Sequence, residues 1–312
     1  MNLSQHLQTA QAHRAALLEQ LREEGTDCYR LFHGVAEGRP GLAIDRYGDT
    51  ILGQVWGAPL DDEEREAVEA LYPEVIWRFR GTAQPHTKPS RCHEGGLSFS
   101  FQAIHAGMDP WLFLDFRAAR RWLSNHVSEH PDCSVLNTFA YTASAGVVAA
   151  AAGAKRVVNV DHARAWTAIG RENGRENDVQ MTFLQLDYFA TVRQMARLKV
   201  GRRGRPLPQV KQESFDVVIL DPPTHSKGPF GAVDIVNDYP GLFKPAWLSC
   251  TADGVLLATN HSPRVSMEDW IDQCSRCAAK AGRAIQGVEV IELDADFPSF
   301  DDTPPLKIAV FR

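Results

Sequence analysis

One segment constrains the fold of this chain more than any other. A run of apolar and β-branched residues over 215–220 (FDVVIL) ends in the tetrapeptide Asp221-Pro222-Pro223-Thr224. The run predicts a buried strand, and the two prolines end it because neither can donate a hydrogen bond to a neighbouring strand. Ligands bind at the carboxyl ends of strands in open α/β sheets. The turn is therefore predicted to hold a carboxylate and carbonyls at a ligand cleft; the alternative is a strand end without further function.

Strands and helices alternate from residue 111 onward, which predicts βαβ units and a parallel sheet, and hence an α/β fold. Strands are predicted at residues 134–137, 156–161, 181–186, 215–220 and 254–260, with a closing hairpin over 288–293 and 306–311. Before residue 109 the pattern differs, because an amphipathic helix is followed by short strands that turns separate. We expect a small α+β domain at 1–109, with substrate binding as its candidate role, and a second domain at 110–312.

Composition excludes several classes of protein. No run of 18 apolar residues exists, so no membrane span is predicted, and the polar residues 1–24 do not predict a signal peptide. Six cysteines in 312 residues do not make a disulfide framework, so a reducing cytoplasm is the expected setting. The net charge of −6 argues against binding phosphates through overall charge, so any role with nucleic acid depends on the site itself.

Acidic residues follow the second and third predicted strands. Asp161 lies 24 residues after Asn137, which is the interval of one βαβ unit. An acid there accepts hydrogen bonds from both ribose hydroxyls in nucleotide-binding α/β folds; the alternative is the N-cap of the helix that follows. Asp187 would contact an adenine amino group or be an ordinary loop acid.

The turn after the first strand is rich in small residues. Residues 138–146 (TFAYTASAG) lead from that strand into an alanine-rich helix. Small residues let the backbone approach a ligand closely and let the helix pack on the sheet. Only Gly146 is a glycine, however, so by itself the segment is equally consistent with an ordinary connection.

The order of these motifs resembles a known family. FLDFRAARR at 113–121, VLNTFAYT at 135–142, Asp161 and Asp221-Pro222-Pro223-Thr224 follow one another along the chain. The set is similar to the bacterial class I S-adenosylmethionine-dependent methyltransferases of large-subunit ribosomal RNA, whose Rossmann-like sheet has seven strands and a late hairpin. The similarity is greatest to the carboxyl-terminal, guanine-N7-methylating half of the bifunctional enzyme and covers residues 12–312.

The resemblance implies S-adenosylmethionine as cofactor and ribosomal RNA as partner. Asp161 would hold the ribose and Asp187 the adenine. Residues that would line or flank the rest of the cofactor are Asp115, Arg117, Asn137, Phe139, Tyr141, Thr142 and Asp221. The acceptor base would face the catalytic residues Asp221, Pro222, Pro223, Thr224 and Asn260. His225, Lys227 and His261 would contact the substrate, although each could also be a polar loop residue.

The residues after the fifth strand argue against one reaction. Cytosine carbon 5 is activated only by covalent addition of a cysteine, whereas residues 259–262 read TNHS. Cys250 lies before the predicted strand, on the expected face of a helix. A nitrogen acceptor is therefore predicted, and guanine N7 needs alignment but no base, because its lone pair carries no proton. An exocyclic amine would instead be oriented by Asp221 or a carbonyl, and His225, where the guanine enzyme has an aromatic residue, leaves the base open.

Two further features have a structural and a functional interpretation. Residues 193–211 contain seven basic residues and no acid; they could bind RNA phosphates, but we favour a solvated loop at the opposite edge of the sheet. Cys274 and Cys277 form a lone C-x-x-C on a predicted helix, which favours packing, and no metal is expected. A methyltransferase for a small molecule or protein, and a non-catalytic RNA- or partner-binding module, stay as alternatives.

Overall fold

The computed structural model describes residues 1–107, 109–201, 206–301 and 303–312. The chain divides into two compact units, the first built from Met1–Arg117 and Leu293–Pro304 and the second from Ala118–Glu292 and Pro305–Arg312. Among the described residues, no helix is long and apolar enough to cross a membrane. That 1–109 and 110–312 form separate domains stays a prediction.

The first unit is a small α+β structure. Its four-stranded sheet has the order β1-β2-β3-β4, in which only β3 and β4 run parallel, and β5 and β6 form a separate hairpin. Capping boxes at Asn2 and Asp61 start the two helices. The elements are α1 (Leu3–Glu23), β1 (Cys28–His33), β2 (Leu42–Tyr47), β3 (Thr50–Val55), α2 (Asp62–Leu71), β4 (Ile76–Phe79), β5 (Ser90–Glu94) and β6 (Leu97–Phe101).

A buried ion-pair cluster fastens residues 293–304 to the first unit. Arg117 donates to Asp294 at 2.6 Å, to Asp296 at 2.5 Å and to the carbonyl oxygen of Cys28 at 3.2 Å. Asp296 is fully buried and also accepts a hydrogen bond from the backbone nitrogen of Arg30. A buried charge is tolerated only when it is paired and hydrogen-bonded, as each of these charges is.

The second unit contains the predicted parallel sheet. Its strand order is β14-β15-β13-β10-β7-β8-β9, and only β15 runs antiparallel to its neighbours. The elements are α3 (Arg117–Glu129), β7 (Ser134–Thr138), α4 (Ser144–Ala151), β8 (Arg156–Val160), α5 (Arg164–Glu176), β9 (Thr182–Leu184), α6 (Tyr188–Met195), β10 (Phe215–Leu220), β11 (His225–Lys227), β12 (Ala232–Asp234), α7 (Tyr239–Leu248), β13 (Cys250–Asn260), α8 (Met267–Lys280), β14 (Val288–Ile291) and β15 (Lys307–Phe311). Seven strands and a closing antiparallel hairpin were expected, and both are present.

Three details of this sheet differ from the sequence expectation. β9 has three residues where six were predicted, because the backbone turns at Leu186 and Asp187 then caps α6. β13 begins at Cys250, so this cysteine lies in a strand and its predicted place on a helix face was wrong. The short hairpin of β11 and β12 follows the Pro-Pro turn and was not predicted.

The carboxyl ends of the parallel strands meet at one edge. Thr138 is level with Val160 of β8 and with Leu220 of β10, and Leu220 is level with Ala258 of β13. The chain continues from β7 to β8 on one side, whereas β10 and β13 lie on the other. A sheet with this order has a crevice between the two directions of winding, which is where α/β proteins bind ligands.

Candidate active site

The connection from β7 to α4 has an unusual backbone. Phe139, Tyr141 and Ala143 have φ angles of 52°, 50° and 59°, in the left-handed region that side chains other than glycine rarely adopt. Such strain persists only where the surroundings enforce it, and it is concentrated at functional sites. Here the backbone nitrogen of Ala140 donates to the carbonyl of Val160 at 3.1 Å, and that of Tyr141 donates to Asp161. The loop is thus held against the end of β8.

Asp161 is the residue that holds this loop. Its Oδ2 accepts from the backbone nitrogen of Tyr141 and its Oδ1 from that of Ala163, both at 2.9 Å. The N-cap of α5 is Ala163, which makes no side-chain cap, so Asp161 forms a two-residue turn instead of the helix cap considered above. Each oxygen has accepted one hydrogen bond and keeps a lone pair, which fits the two hydroxyls of a ribose.

Asp161 and Asp187 line the same cleft. Val160 at the end of β8 and Leu186 after the end of β9 are among its lining residues. Oδ1 of Asp187 accepts from the backbone nitrogen of Ala190 at 3.1 Å and caps α6. The rings of Phe139 and Tyr188 stack with centroids 4.5 Å apart. The cleft is lined by Phe139, Val160, Asp161, His162, Leu186, Asp187, Tyr188, Phe189, Ser226, Gly228 and Val233.

Two other predicted cofactor residues, Asn137 at the end of β7 and Thr142 in the loop, are buried. Nδ2 of Asn137 donates to Oδ1 of Asn159 at 2.9 Å, and the carbonyl of Thr142 accepts from Asn173 at 2.9 Å. A Cβ at Gly146 would lie 2.3 Å from Oδ1 of Asn159, so only glycine lets α4 pack here. Asn159 was not among the predicted residues, although an asparagine inside the apolar run of β8, level with Asn137 of β7, was an available signal.

Asp115 and Arg117 were predicted to flank the cofactor. The guanidinium of Arg117 is engaged by Asp294 and Asp296. Asp115 is partly exposed and contributes to the electrostatic field around Arg30. Their contact with a cofactor stays a prediction.

The Pro-Pro turn is joined to the end of β13. Oδ1 of Asp221 accepts from the hydroxyl of Thr259 at 2.5 Å, and Nε2 of His261 lies 2.8 Å from the hydroxyl oxygen of Thr224. Part of Asp221 reaches the surface, but protein surrounds its carboxylate, and this burial raises its pKa. The hydrogen bond from Thr259 and the positive charges of His261 and Arg120 oppose that rise. Pro222 is buried, whereas Pro223 and Thr224 are exposed.

Asn260, the last residue of β13, lies at this edge of the sheet. It is fully buried, its Nδ2 donates to the carbonyl of Ile235 at 3.0 Å and its Oδ1 accepts from the nitrogen of Ser262 at 2.9 Å. The ammonium of Lys307 donates to the carbonyl of Ser262 at 2.8 Å. Both ends of the Asn260 amide are therefore engaged by backbone groups, one directly after β12 and one directly after His261.

His225 and Lys227 are exposed on β11, one residue to either side of Ser226. His225 is paired with Asp234 of β12 and Lys227 with Ala232. Alternate residues of a strand point to opposite faces, so these two side chains share the face that Ser226 does not. Their contact with a substrate stays a prediction.

Cys250 lies away from the acceptor edge. Cys250 is level with Phe215 at the opposite end of the sheet, and burial raises its pKa to about 12. All six cysteines are free, and only Cys277 is not fully buried. In the part of the chain that the structure describes, no cluster of His, Cys, Asp or Glu is arranged to hold a metal ion.

The basic segment at 193–211 is described only in part. Arg202, Arg203 and Arg205 lie outside the described residues. Nε of Arg193 donates to the carbonyl of Lys199 at 2.9 Å, just after the end of α6. The choice between a solvated loop and a phosphate contact stays a prediction.

Comparison with known proteins identifies similar chains. Residues 90–312 match the model of a family described as S-adenosylmethionine-dependent methyltransferase. The ribosomal RNA large subunit methyltransferase I of Aeromonas salmonicida (strain A449) is 27% identical over 301 residues, which cover 89% of this chain and 72% of that protein.

Solved structures give the same fold. The crystal structure of SMU.776 complexed with SAH has a TM-score of 0.81 at 21% identity, covering 100% of this chain and 82% of that one. The SAM-dependent methyltransferase of Agrobacterium tumefaciens has a TM-score of 0.61 at 19% identity, covering 92% and 89%. The predicted class I fold is confirmed, whereas the narrower similarity to a guanine-N7 enzyme stays a prediction.

Proposed function

The chain belongs to the S-adenosylmethionine-dependent methyltransferase family, and we propose that it methylates a base nitrogen of large-subunit ribosomal RNA, with guanine N7 as the favoured acceptor. The match over residues 90–312 supports both the enzyme class and the cofactor. The RNA substrate is supported by the name of the relative from Aeromonas salmonicida, which aligns with 89% of this chain.

The cleft at the ends of β8 and β9 fits the nucleoside part of the cofactor. Asp161 would accept hydrogen bonds from the ribose hydroxyls, because each of its oxygens keeps a lone pair. Asp187, which lines the same cleft, would meet the adenine amino group. Bound S-adenosylmethionine supplies an electrophilic methyl group on a positively charged sulfur.

One observation favours nitrogen over cytosine carbon 5. The Pro-Pro turn faces the end of β13 through the Thr259–Asp221 and His261–Thr224 contacts, and the residues at that end include no cysteine. Cys250 is at the other end of the strand with a raised pKa, which disfavours the thiolate that addition to a base requires.

The same residues suit an acceptor that needs orientation more than deprotonation. The Asp221 carboxylate and the carbonyls of the turn would accept hydrogen bonds from N–H groups of the base and fix its angle to the methyl group. Positioning of this kind supplies roughly 7–11 kcal/mol in favourable cases. Guanine N7 requires nothing further, whereas an exocyclic amine must also lose a proton. Asn260 would be a positioning residue, since its amide contacts only backbone of the protein.

Nucleoside analysis tests the proposal. Ribosomal RNA from a strain that lacks the gene is incubated with the protein and methyl-labelled S-adenosylmethionine, digested to nucleosides and analysed by mass spectrometry. We expect label in 7-methylguanosine of the large-subunit RNA. Label in 5-methylcytidine would overturn the nitrogen acceptor, label in another methylated guanosine or adenosine would replace N7, and label only in protein or small molecules would overturn the RNA substrate.

A further inference from the structure

The hairpin of β11 and β12, which follows the Pro-Pro turn, also lines the cofactor cleft. Ser226, Gly228 and Val233 line this cleft together with Asp161. Ser226 and Val233 are a register pair, so they lie on the same face of the hairpin. The hairpin thus begins four residues after Asp221, and one of its faces forms part of the cleft wall.

The second face of the hairpin carries different chemistry. His225 and Lys227 flank Ser226 in sequence and are exposed. Thr224, directly before His225, contacts His261 at the end of β13. An imidazole and an ammonium beside the acceptor edge suit a base and a phosphate of RNA.

Two glycines set the distance between the hairpin and the start of α6. A Cβ on Gly228 would lie 2.0 Å from Oδ2 of Asp187, and a Cβ on Gly231 would lie 2.4–2.8 Å from ring atoms of Phe189. Real side chains do not approach this closely, so either substitution must move the hairpin, the acid or the ring. Neither glycine has a left-handed φ, and alanine is therefore compatible with the backbone itself.

We propose that the β11–β12 hairpin is a wall shared by two ligands: its Ser226 face closes the cofactor cleft, its His225 and Lys227 face binds the acceptor RNA, and the two ligands consequently bind with positive cooperativity. Gly228 and Gly231 are positioning residues, because they set how closely this wall approaches Asp187 and Phe189. The inference rests on the proposed RNA substrate. Both ligands contact the same two-stranded hairpin, so the ligand that binds first holds in place the wall that the other ligand contacts.

Glycine variants test whether the Ser226 face of the hairpin closes the cofactor cleft. In calorimetric titrations with S-adenosylhomocysteine, Gly228→Ala and Gly231→Ala are expected to weaken binding by about tenfold, or 1.4 kcal/mol. Gly287→Ala is the matched control, since no atom lies within 4 Å of its new Cβ. Equal affinity in all four proteins, at unchanged melting temperature, would show that the hairpin does not seat the cofactor and would overturn this half of the proposal.

The effect of RNA on cofactor affinity tests whether the face with His225 and Lys227 binds RNA. Saturating large-subunit RNA is expected to tighten S-adenosylhomocysteine binding at least about fivefold, and cofactor must tighten RNA binding by the same factor. Lys227→Gln should reduce that factor while leaving the affinity without RNA unchanged; Lys280→Gln, at the exposed end of α8, should not.

The outcomes separate this inference from the proposed function. RNA that binds and is methylated, but leaves the affinity for S-adenosylhomocysteine unchanged, would overturn the cooperativity and leave the function standing. If RNA neither binds nor is methylated, the proposed substrate is wrong, and so is the proposal that His225 and Lys227 bind RNA. If Lys227→Gln leaves the coupling factor unchanged, the proposal that Lys227 links RNA binding to cofactor binding is wrong.

Discussion

The hydroxyl of Thr259 donates a 2.5 Å hydrogen bond to Oδ1 of Asp221, so the end of β13 is tied directly to the turn after β10. Burial raises the pKa of Asp221, and this hydrogen bond favours the ionised carboxylate against that tendency. The two strands are neighbours, with Leu220 level with Ala258. A single side chain on β13 thereby affects both the direction and the charge of the acid that precedes the two prolines.

Removing that hydroxyl should shift the pH dependence of methyl transfer. Thr259→Val keeps the shape of the side chain but loses the donor, so the pKa of Asp221 should rise further. If the ionised carboxylate orients the base, the acidic limb of the rate profile moves to higher pH by about one unit, a tenfold loss of rate on that limb. Rates measured from pH 5 to 9 check this. Thr259→Ser keeps the hydroxyl and should follow the wild type, and coincident profiles for all three would contradict the role given to Asp221.

The positions of the strands and of their terminal acids were predictable because local rules determine them. The apolar, β-branched run before Asp221 predicts a buried strand, and two prolines end it. Asp161 and Asp187 follow strands that run parallel, so they share one edge of the sheet. The structure brings both acids into one cleft.

Other features depend on contacts between distant residues and left no local pattern. Next to the left-handed Phe139, the backbone nitrogens of Ala140 and Tyr141 donate to Val160 and Asp161, about twenty residues away. The strands of the β11–β12 hairpin have three residues each, too few to show a period. Arg117 matched a family motif, yet its ion pairs are with acids 177 and 179 residues later in the chain.

Asp161→Asn should abolish cofactor binding under ordinary conditions. The amide removes the negative charge and one acceptor, while the nitrogens of Tyr141 and Ala163 still require partners. Hydrogen bonds to a charged group contribute about 1.5–3 kcal/mol each, so affinity for S-adenosylhomocysteine should fall by at least about 100-fold in calorimetry. Asp178→Asn is the control, because this exposed acid has a left-handed φ that asparagine also adopts. Normal binding by Asp161→Asn would overturn the ribose assignment.

Gly146→Ala should destabilise the sheet–helix contact. The new methyl group would meet Oδ1 of Asn159 at 2.3 Å, and overpacking of this kind costs about 1–3 kcal/mol. Urea titration gives the free energy of unfolding. Asn159→Ala removes the opposing amide, so the double variant should lose less stability than the sum of the single changes. If the losses of stability in the two single variants simply add in the double variant, Asn159 is not the reason why position 146 needs glycine.

Lys307→Met should separate a stability effect from an effect on the acceptor edge. The Lys307 ammonium donates to the carbonyls of Ser262 and Pro305, and burial lowers its pKa. Between that lowered pKa and the ordinary value, the unfolded chain binds more protons than the folded one, so the wild type gains stability as pH rises through this window. Lys307→Met should lack the gain in thermal melts from pH 7 to 10.5.

The same variant should weaken the acceptor site without weakening the cofactor cleft. Lys307 holds the carbonyl of Ser262, next to His261, whereas none of the residues that line the cleft contacts it in the hydrogen bonds described. We expect KM for RNA to rise about three- to tenfold, which corresponds to the net contribution of one ordinary hydrogen bond, with unchanged affinity for S-adenosylhomocysteine. Lys307→Arg keeps the charge and should recover part of the loss. An increase in the cofactor's dissociation constant equal to that in KM would mean that Lys307 supports the whole sheet edge and not the His261 loop.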